Sequence, residues 1–397
     1  MIQTEERLVP ELRFPEFEGE WAKKKLGEVA HFLDNKRIPL SETERSKRRG
    51  EYPYYGASGI IDYIDDYIFD GEYVLLGEDG ANIVTRSSRL AFVINGRCWI
   101  NNHAHILEAK NSNLFLAESL ERIRFEKYNT GTAQPKLNSE VCKKILLYLP
   151  QSEEQQKIAS FLTAVDQRIQ LLQRKKAKLE EYKKGVMQQL FSQELRFKDE
   201  NDHEFPDWEE KKLGEVCDVK GGKRIPKGYS LQDEDNGFPY ITVSDMNSGS
   251  VRLDNIKYVP KQAVAKIENY RISTDDIFVS VAGTLGIVGV IPKELEDANL
   301  TENANKLTNL KCYKWYLLYY LNSEFFKKLV KSVKTTNAQP KLAIYALKSF
   351  NLPLPSLSEQ QKIASFLSSI DTTIEKVSDQ IDASSVFKKG LLQKMFV

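Results

Sequence analysis

The residues best suited to chemistry are few. Of four histidines, His103 and His105 stand one residue apart, as two ligands on one face of a strand would. No third ligand lies near them in sequence, and a related stretch further on has Ala304 and Lys306 at the places taken as equivalent. Structural or DNA-facing histidines are therefore expected, not a metal site. Pro206-Asp207 with Glu209-x-Lys211 has the residue types of a nuclease carboxylate set, but these residues are too close in sequence to converge on one metal. Gly283-x-x-Gly286-x-x-Gly289 lacks both the G-x-G-x-x-G spacing and the Lys-Ser/Thr of a P-loop. No catalytic constellation emerges, and neither a metal nor a cofactor is expected in this chain.

What remains is a binding vocabulary placed in loops. Lys36-Arg37 and Lys223-Arg224 fall in matching segments, and Arg45, Lys47, Arg48 and Arg49 follow the first. Clustered Arg and Lys supply phosphate contacts and the fork that reads guanine. Beside them are small, polar and aromatic residues able to approach base edges: Tyr54, Ser58, Asp79, Asn82, Asn102, His103, Gln134 and Lys136 in the first half of the chain. Tyr240, Ser244, Asp245, Thr284, Asn303, Gln339 and Lys341 do the same in the second. The bland alternative is a solvated basic loop and ordinary hairpin glycines.

These residues are positioned by a repeat. Trp21-Ala-Lys-Lys-Lys-Leu-Gly-Glu-Val29 returns as Trp208-Glu-Glu-Lys-Lys-Leu-Gly-Glu-Val216, and Lys36-Arg37-Ile38-Pro39 as Lys223-Arg224-Ile225-Pro226, both 208 − 21 = 187 positions later. Ala133-Gln-Pro-Lys-Leu137 returns at Ala338–Leu342 and Glu154–Leu162 at Glu359–Leu367, now 359 − 154 = 205 positions later. The second copy thus holds 18 extra residues between near-identical flanks (205 − 187). Constant frames around divergent centres mean two related modules. Leu12-Arg13-Phe14 also matches Leu195-Arg196-Phe197, so joining the chain's ends would close a ring of two units with an internal pseudo-two-fold.

After Pro150 and Pro355 the pattern becomes helical. Ile158, Leu162, Val165, Ile169, Leu172, Leu179 and Val186 keep a 4-3 spacing through Lys176 and Lys183; Ile363, Leu367, Ile370, Ile374, Val377, Ile381 and Leu391 keep it through Ser384 and Lys388. Ser152-x-x-Gln155 and Ser358-x-x-Gln361 have capping-box spacing at the starts. A helix over 153–191 would be roughly 58 Å long, more than a small module can cover, so the expected partner of each stripe is the other helix. Short strands and turns fill the modules. The expected fold is α+β: two strand-rich recognition modules (12–150 and 196–355) joined by two long helices (151–195 and 356–397) packed as an antiparallel coiled coil. A pair of ordinary amphipathic core helices is the alternative.

Composition narrows the class further. Hydrophobic residues at 41% with 28% charged describe a globular chain, and 57 basic against 56 acidic residues leave a formal charge of +1, so any nucleic-acid affinity must be concentrated locally. Four cysteines without a C-x-x-C pair, no leader-like N-terminus and no run of about 20 apolar residues point to a reducing, cytoplasmic setting without a membrane.

The doubled motifs W-x-x-K-K-L-G-E-V, A-Q-P-K-L and L-P-x-x-x-x-E-Q-Q-K-I-A resemble the specificity subunits of type I DNA restriction-modification systems, over nearly the whole chain. The resemblance implies two target-recognition domains, each reading half of a bipartite, asymmetric DNA site. It implies helices that act as spacers and dock two methyltransferase subunits. Those partners would carry S-adenosylmethionine, and motor-nuclease subunits would use ATP and Mg; this chain itself would be non-catalytic. The competing readings are a coiled-coil adaptor whose two modules bind proteins, and an enzyme whose site escapes recognition in sequence.

Overall fold

The computed structural model describes residues 8–332 and 341–397. The chain divides into two units, one formed by residues up to Gln173 with Asp379–Val397, the other by Arg174–Ser378. These limits differ from the four segments expected, because each unit combines a strand-rich module with parts of both long helices. The cause is apolar. Ile158, Leu162, Val165, Leu391, Met395 and Phe396 are buried in one cluster with Trp21, Leu26, Phe115 and Leu147 of the first module.

In the first unit a six-stranded sheet runs in the order Ala30–Phe32, Ala104–Ala109, Phe69–Gly77, Ala91–Ile100, Arg49–Gly56, Gly59–Ile64. All neighbours are antiparallel except Arg49–Gly56 against Ala91–Ile100. Alternation sends Val74, Leu76 and Leu107 to one face, where helix Asn113–Glu121 covers them, and Leu75, Ile94, Ile100 and Ile106 to the other. A two-stranded ribbon, Ala22–Lys25 with Leu146–Leu149, brings the module's first and last strands together.

The second unit keeps this frame and divides the sheet. Asp218–Gly221, Ala304–Thr308, Ile277–Ser280 and Val288–Gly289 form one four-stranded sheet; Lys257–Tyr258, Pro239–Ile241, Ala298–Leu300 and Arg271–Ile272 form another. The single strand Ala91–Ile100 of the first unit has two short counterparts here, Val288–Gly289 and Ala298–Leu300. Much of the extra length falls between Ile241 and Ile277. Its Met246, Val251 and Ile256 are buried with Ile291 and Leu295 over Phe278 and Leu300. The matching face of the first unit is more open, with Tyr55, Tyr73 and Phe92 half-buried.

The long helices span Ser152–Phe191 and Leu357–Lys394, 40 and 38 residues without an internal proline. Their starts differ from the expected capping boxes. Gln155 and Gln360 donate their side-chain amides to the Pro150 and Pro355 carbonyls (2.8 and 2.7 Å), and the second helix is capped by Ser356, which accepts from the Glu359 N–H. Within the second unit, Lys176 donates to Ser378 (3.1 Å) and Lys183 pairs with Asp371 (2.5 Å), so the segments run antiparallel. Lys388 pairs with Asp166 (2.6 Å) in the first, the same two residues of the repeat with helices exchanged.

The seam expectation is corrected at its ends. Ile158, Leu162, Val165 and Leu391 join the first module's core, and Val186, Ile363, Leu367 and Ile370 the second's, with Ile169 and Ile374 packed beside them. Val377 is buried, while Leu172, Leu179 and Ile381 are half-buried. A module surface beside each helix end offers more apolar contact than a second helix alone, and the stripe follows it.

Both halves also share a polar clasp. Arg13 reaches fully buried Glu154 through Nε and Nη2 (2.8 and 2.7 Å) and donates to the Glu18 and Gly19 carbonyls; Arg196 does the same with Glu359 (3.2 and 3.0 Å) and with Phe205 and Pro206. The Leu12 N–H donates to Lys394 O (2.8 Å), as Leu195 does to Gln189 O (3.1 Å), so in the first unit the chain's beginning is stitched to its end.

Candidate nucleic-acid interface

In the first unit the loops converge at one end of the sheet, where Gly56, Gly77, Ile100 and Ala104 terminate or begin their strands. Glu78 N–H donates to His103 O (2.8 Å), Gly80 N–H to Pro135 O (3.0 Å) and Leu137 N–H to Glu78 O (2.7 Å). The loop 129–136 is pinned by Asn129 Oδ1, which accepts from Gly131 and Lys136 N–H. Gly131 lies so close to Gln134 O that a Cβ there would stand 1.8 Å from it, so only glycine fits this turn. Glu78, Asp34, Arg37, His105 and Lys136 form a charged knot beneath the loops: Arg37–Glu78 2.7 Å, His105–Asp34 2.7 Å, Lys136–Glu78 3.3 Å.

His105 is buried, and its two ring nitrogens meet Asp34 and the Leu137 carbonyl, both acceptors. Burial opposes its charge, but the hydrogen bond and charge of Asp34, with Cys142 alongside, overcome that and push the imidazole up to about 10. Burial likewise opposes ionisation of Asp34, yet His105, the Ile106 N–H and Arg37 hold its carboxyl below the usual range. This is an ion pair that supports the loops. It is not a metal ligand set, and among the described residues no cluster of three or more His, Cys, Asp and Glu could hold a metal ion.

The second unit repeats the loop frame: Val281 and Ala282 N–H donate to Asn303 O (2.7 and 3.2 Å), and Leu342 N–H to Val281 O (2.9 Å). This register corrects the equivalence read from sequence by one residue. His103 corresponds to Asn303 and His105 to Asn305, not to Ala304 and Lys306. Asn305 Nδ2 is buried without a partner among the described residues, and Gly221 stands where Asp34 would.

The expected contact residues sort into three groups. Tyr54, Tyr240 and Asp245 are buried, a correction: Tyr54 accepts from Leu40 N–H, Tyr240 donates to Lys223 O (2.9 Å), and Asp245 accepts from Thr242. Arg37, Arg45 and Arg48 are committed to the fold, another correction. Arg37 is bound to Glu78 and Ala104 O; Arg45 to Asp62 and Leu40 O, over the Tyr54 ring; Arg48 to Asp65 and Asp66, over Trp99. Long guanidiniums beside carboxylates and aromatic faces pack as often as they reach outward. The third group is exposed or half-exposed: Lys36, Lys47, Arg49, Ser58, Asp79, Asn82, Asn102, His103, Gln134 and Lys136 in the first unit, and Lys223, Arg224, Ser244, Thr284, Asn303 and Lys341 in the second. Gln339 lies outside the described residues. Sequence reasoning missed the carboxylates that hold the cationic groups, Asp34, Glu78 and Glu302, and the exposed apolar edge Ile60, Ile61 and Tyr63.

The sequence that builds these two duplicated frames matches a known family. The family model of the type I restriction modification DNA specificity domain matches twice, over residues 18–181 and 206–383. The chain belongs to this family of specificity subunits. It is 28% identical to the type I restriction enzyme MjaVIII specificity subunit of Methanocaldococcus jannaschii over 94% of this chain and 91% of that protein. It is also 28% identical to a putative specificity subunit, S.HindORF215P, of Haemophilus influenzae over 91% and 90%. The fold is shared with the crystal structure of the type I restriction-modification S subunit from M. genitalium, at a TM-score of 0.58 and 18% identity, covering 98% of this chain and 99% of that one. As a specificity subunit the chain recognises DNA through its two domains. No described helix is long and apolar enough to cross a membrane.

Proposed function

We propose that each unit of this specificity subunit reads one half of a bipartite, asymmetric DNA site. The long helices would set the spacing and hold two methyltransferase subunits, and the chemistry would lie outside this chain. Adenine methylation would belong to the S-adenosylmethionine-carrying partners, and cleavage to motor-nuclease subunits using ATP and Mg. The carrying observation is that equivalent loop positions present different groups: Asp79, Asn102 and His103 in one unit, Ala282, Glu302 and Asn303 in the other. Unlike groups on like frames favour unlike half-sites. Exchanging residues 22–150 for those of a relative and mapping methylated adenines tests this. One half of the site should change while the other half and the spacing stay; a change in both halves, or in neither, overturns it.

Partner docking has its own support in the helices. Tyr182 and Phe387, equivalent in the repeat, are 53% and 54% exposed. Three residues beyond each is a helical glycine, Gly185 or Gly390, where a Cβ would meet nothing within 4 Å. An interior helix glycine costs about 1 kcal/mol relative to alanine, and nothing among the described residues requires it at either place. An exposed ring beside a flat spot, present twice, suits close approach of the same apolar partner surface twice.

A further inference from the structure

The exposed pair Asp79–His103 has no counterpart in the second unit, where Ala282 and Asn303 take the two positions. His103 is fixed from three sides. Its N–H donates to Asn101 Oδ1 (2.8 Å), its carbonyl accepts from Glu78, and its Nδ1 lies 2.8 Å from Asp79 Oδ2. A carboxylate only accepts, so the shared proton sits on Nδ1. In the neutral ring Nε2 is then a bare acceptor, on a side chain 52% exposed at the tip of the loop cluster.

We propose that His103 is a base-reading residue of the first half-site, oriented by Asp79 so that Nε2 accepts from an exocyclic amino group, adenine N6 or cytosine N4, in the major groove. The inference rests on the reading of the first unit as a half-site reader. Asp79 acts as a positioning residue: it fixes both tautomer and ring direction and touches no base.

The test uses the subunit assembled with its methyltransferase partners and a library of random duplexes from which bound sites are selected. The wild-type complex must first yield a bipartite consensus; without one, it is the half-site reading that fails. Given the consensus, His103→Ala should reduce discrimination at one base pair of the first half-site by about tenfold and leave the second half-site untouched. Asp79→Ala should loosen the same base pair, whereas Asp79→Asn, whose Oδ1 still accepts from Nδ1, should retain it. An unchanged preference at every position in His103→Ala, or a loss spread evenly over both half-sites, overturns the proposal.

Discussion

Arg37 and Arg224 occupy the same place in the same Lys-Arg-Ile-Pro motif, yet one is 15% exposed and the other 77%. Arg37 is drawn down by Glu78 and the Asn102 and Ala104 carbonyls; Arg224 has only Glu302, itself part-exposed, as an ion-pair partner among the described residues. The difference comes from the floor beneath them. The first unit buries carboxylates at Asp34 and Glu78, where the second has Gly221 and Val281. A repeated motif therefore fixes where a side chain starts, while unrepeated neighbours decide whether it becomes support or contact.

The largest effects should come from the two clasps. Removing one partner of a buried pair strands the other charge, at about 3–5 kcal/mol. Arg13→Ala leaves Glu154 without its ion-pair partner, so chemical denaturation should show the first unit losing most of its stability. Arg196→Ala should cost less, because Glu359 keeps a 2.9 Å hydrogen bond from Trp208 Nε1, whereas Trp21 Nε1 has no partner among the described residues. Equal losses in the two variants would mean that the indole bond contributes nothing.

Next in size is the buried His105–Asp34 pair, which the second unit replaces with Asn305 and Gly221. The folded His105 value, about 10, lies above the ordinary 6.5 of an unfolded histidine. Its contribution is therefore complete below about pH 6.5 and disappears as pH rises through 10. Asp34 acts in the other direction: its folded value is lowered, so its contribution is present above the ordinary carboxylate range and lost as acid protonates it. The first unit should weaken between pH 7 and 10 in thermal melts. His105→Asn should remove that slope and cost about 1–3 kcal/mol at pH 7, while Asn305→Ala should leave the alkaline profile unchanged.

The frame was legible in sequence because repetition exposes it. The paired Trp motifs, the helix pair and the closure of Leu12 onto Lys394 all follow from matching one half against the other. The site was legible only in outline. Charge and residue type pointed to Arg37, Arg45 and Arg48, but Glu78, Asp62 and Asp65, distant in sequence, neutralise them. Tyr54 and Tyr240 read as candidate contacts, yet each lies on a strand face that the core covers. A one-residue change of register between the copies was invisible without the hydrogen bonds at His103 and Asn303.

Smaller effects separate support from contact at the loops. Arg224→Ala should weaken DNA binding and lower the salt slope by about one, with stability unchanged. Arg37→Ala should act mainly on the melting of the first unit. Arg48→Ala falls with Arg37, since Asp65, Asp66 and Trp99 hold that side chain; Arg49→Ala should reduce the salt slope. A full effect of Arg37→Ala on the slope, with no loss of stability, would reverse the assignment drawn from their exposures.

The smallest effect concerns the part in which the two units are most alike. Gly185→Ala and Gly390→Ala each replace a helical glycine with a residue whose methyl has open space, so each should stabilise the isolated chain by about 0.5–1 kcal/mol. If the same partner surface docks at both, each substitution should also weaken partner binding, and to the same degree, because Tyr182 and Phe387 are equally exposed beside them. Titrating methyltransferase subunits onto each single variant and the double variant reads this directly. Equal single losses that add in the double variant mean two independent, equivalent docking points. A loss at one glycine only would mean that the asymmetry seen in the loops extends into the helices, and that the repeat no longer serves two identical partners.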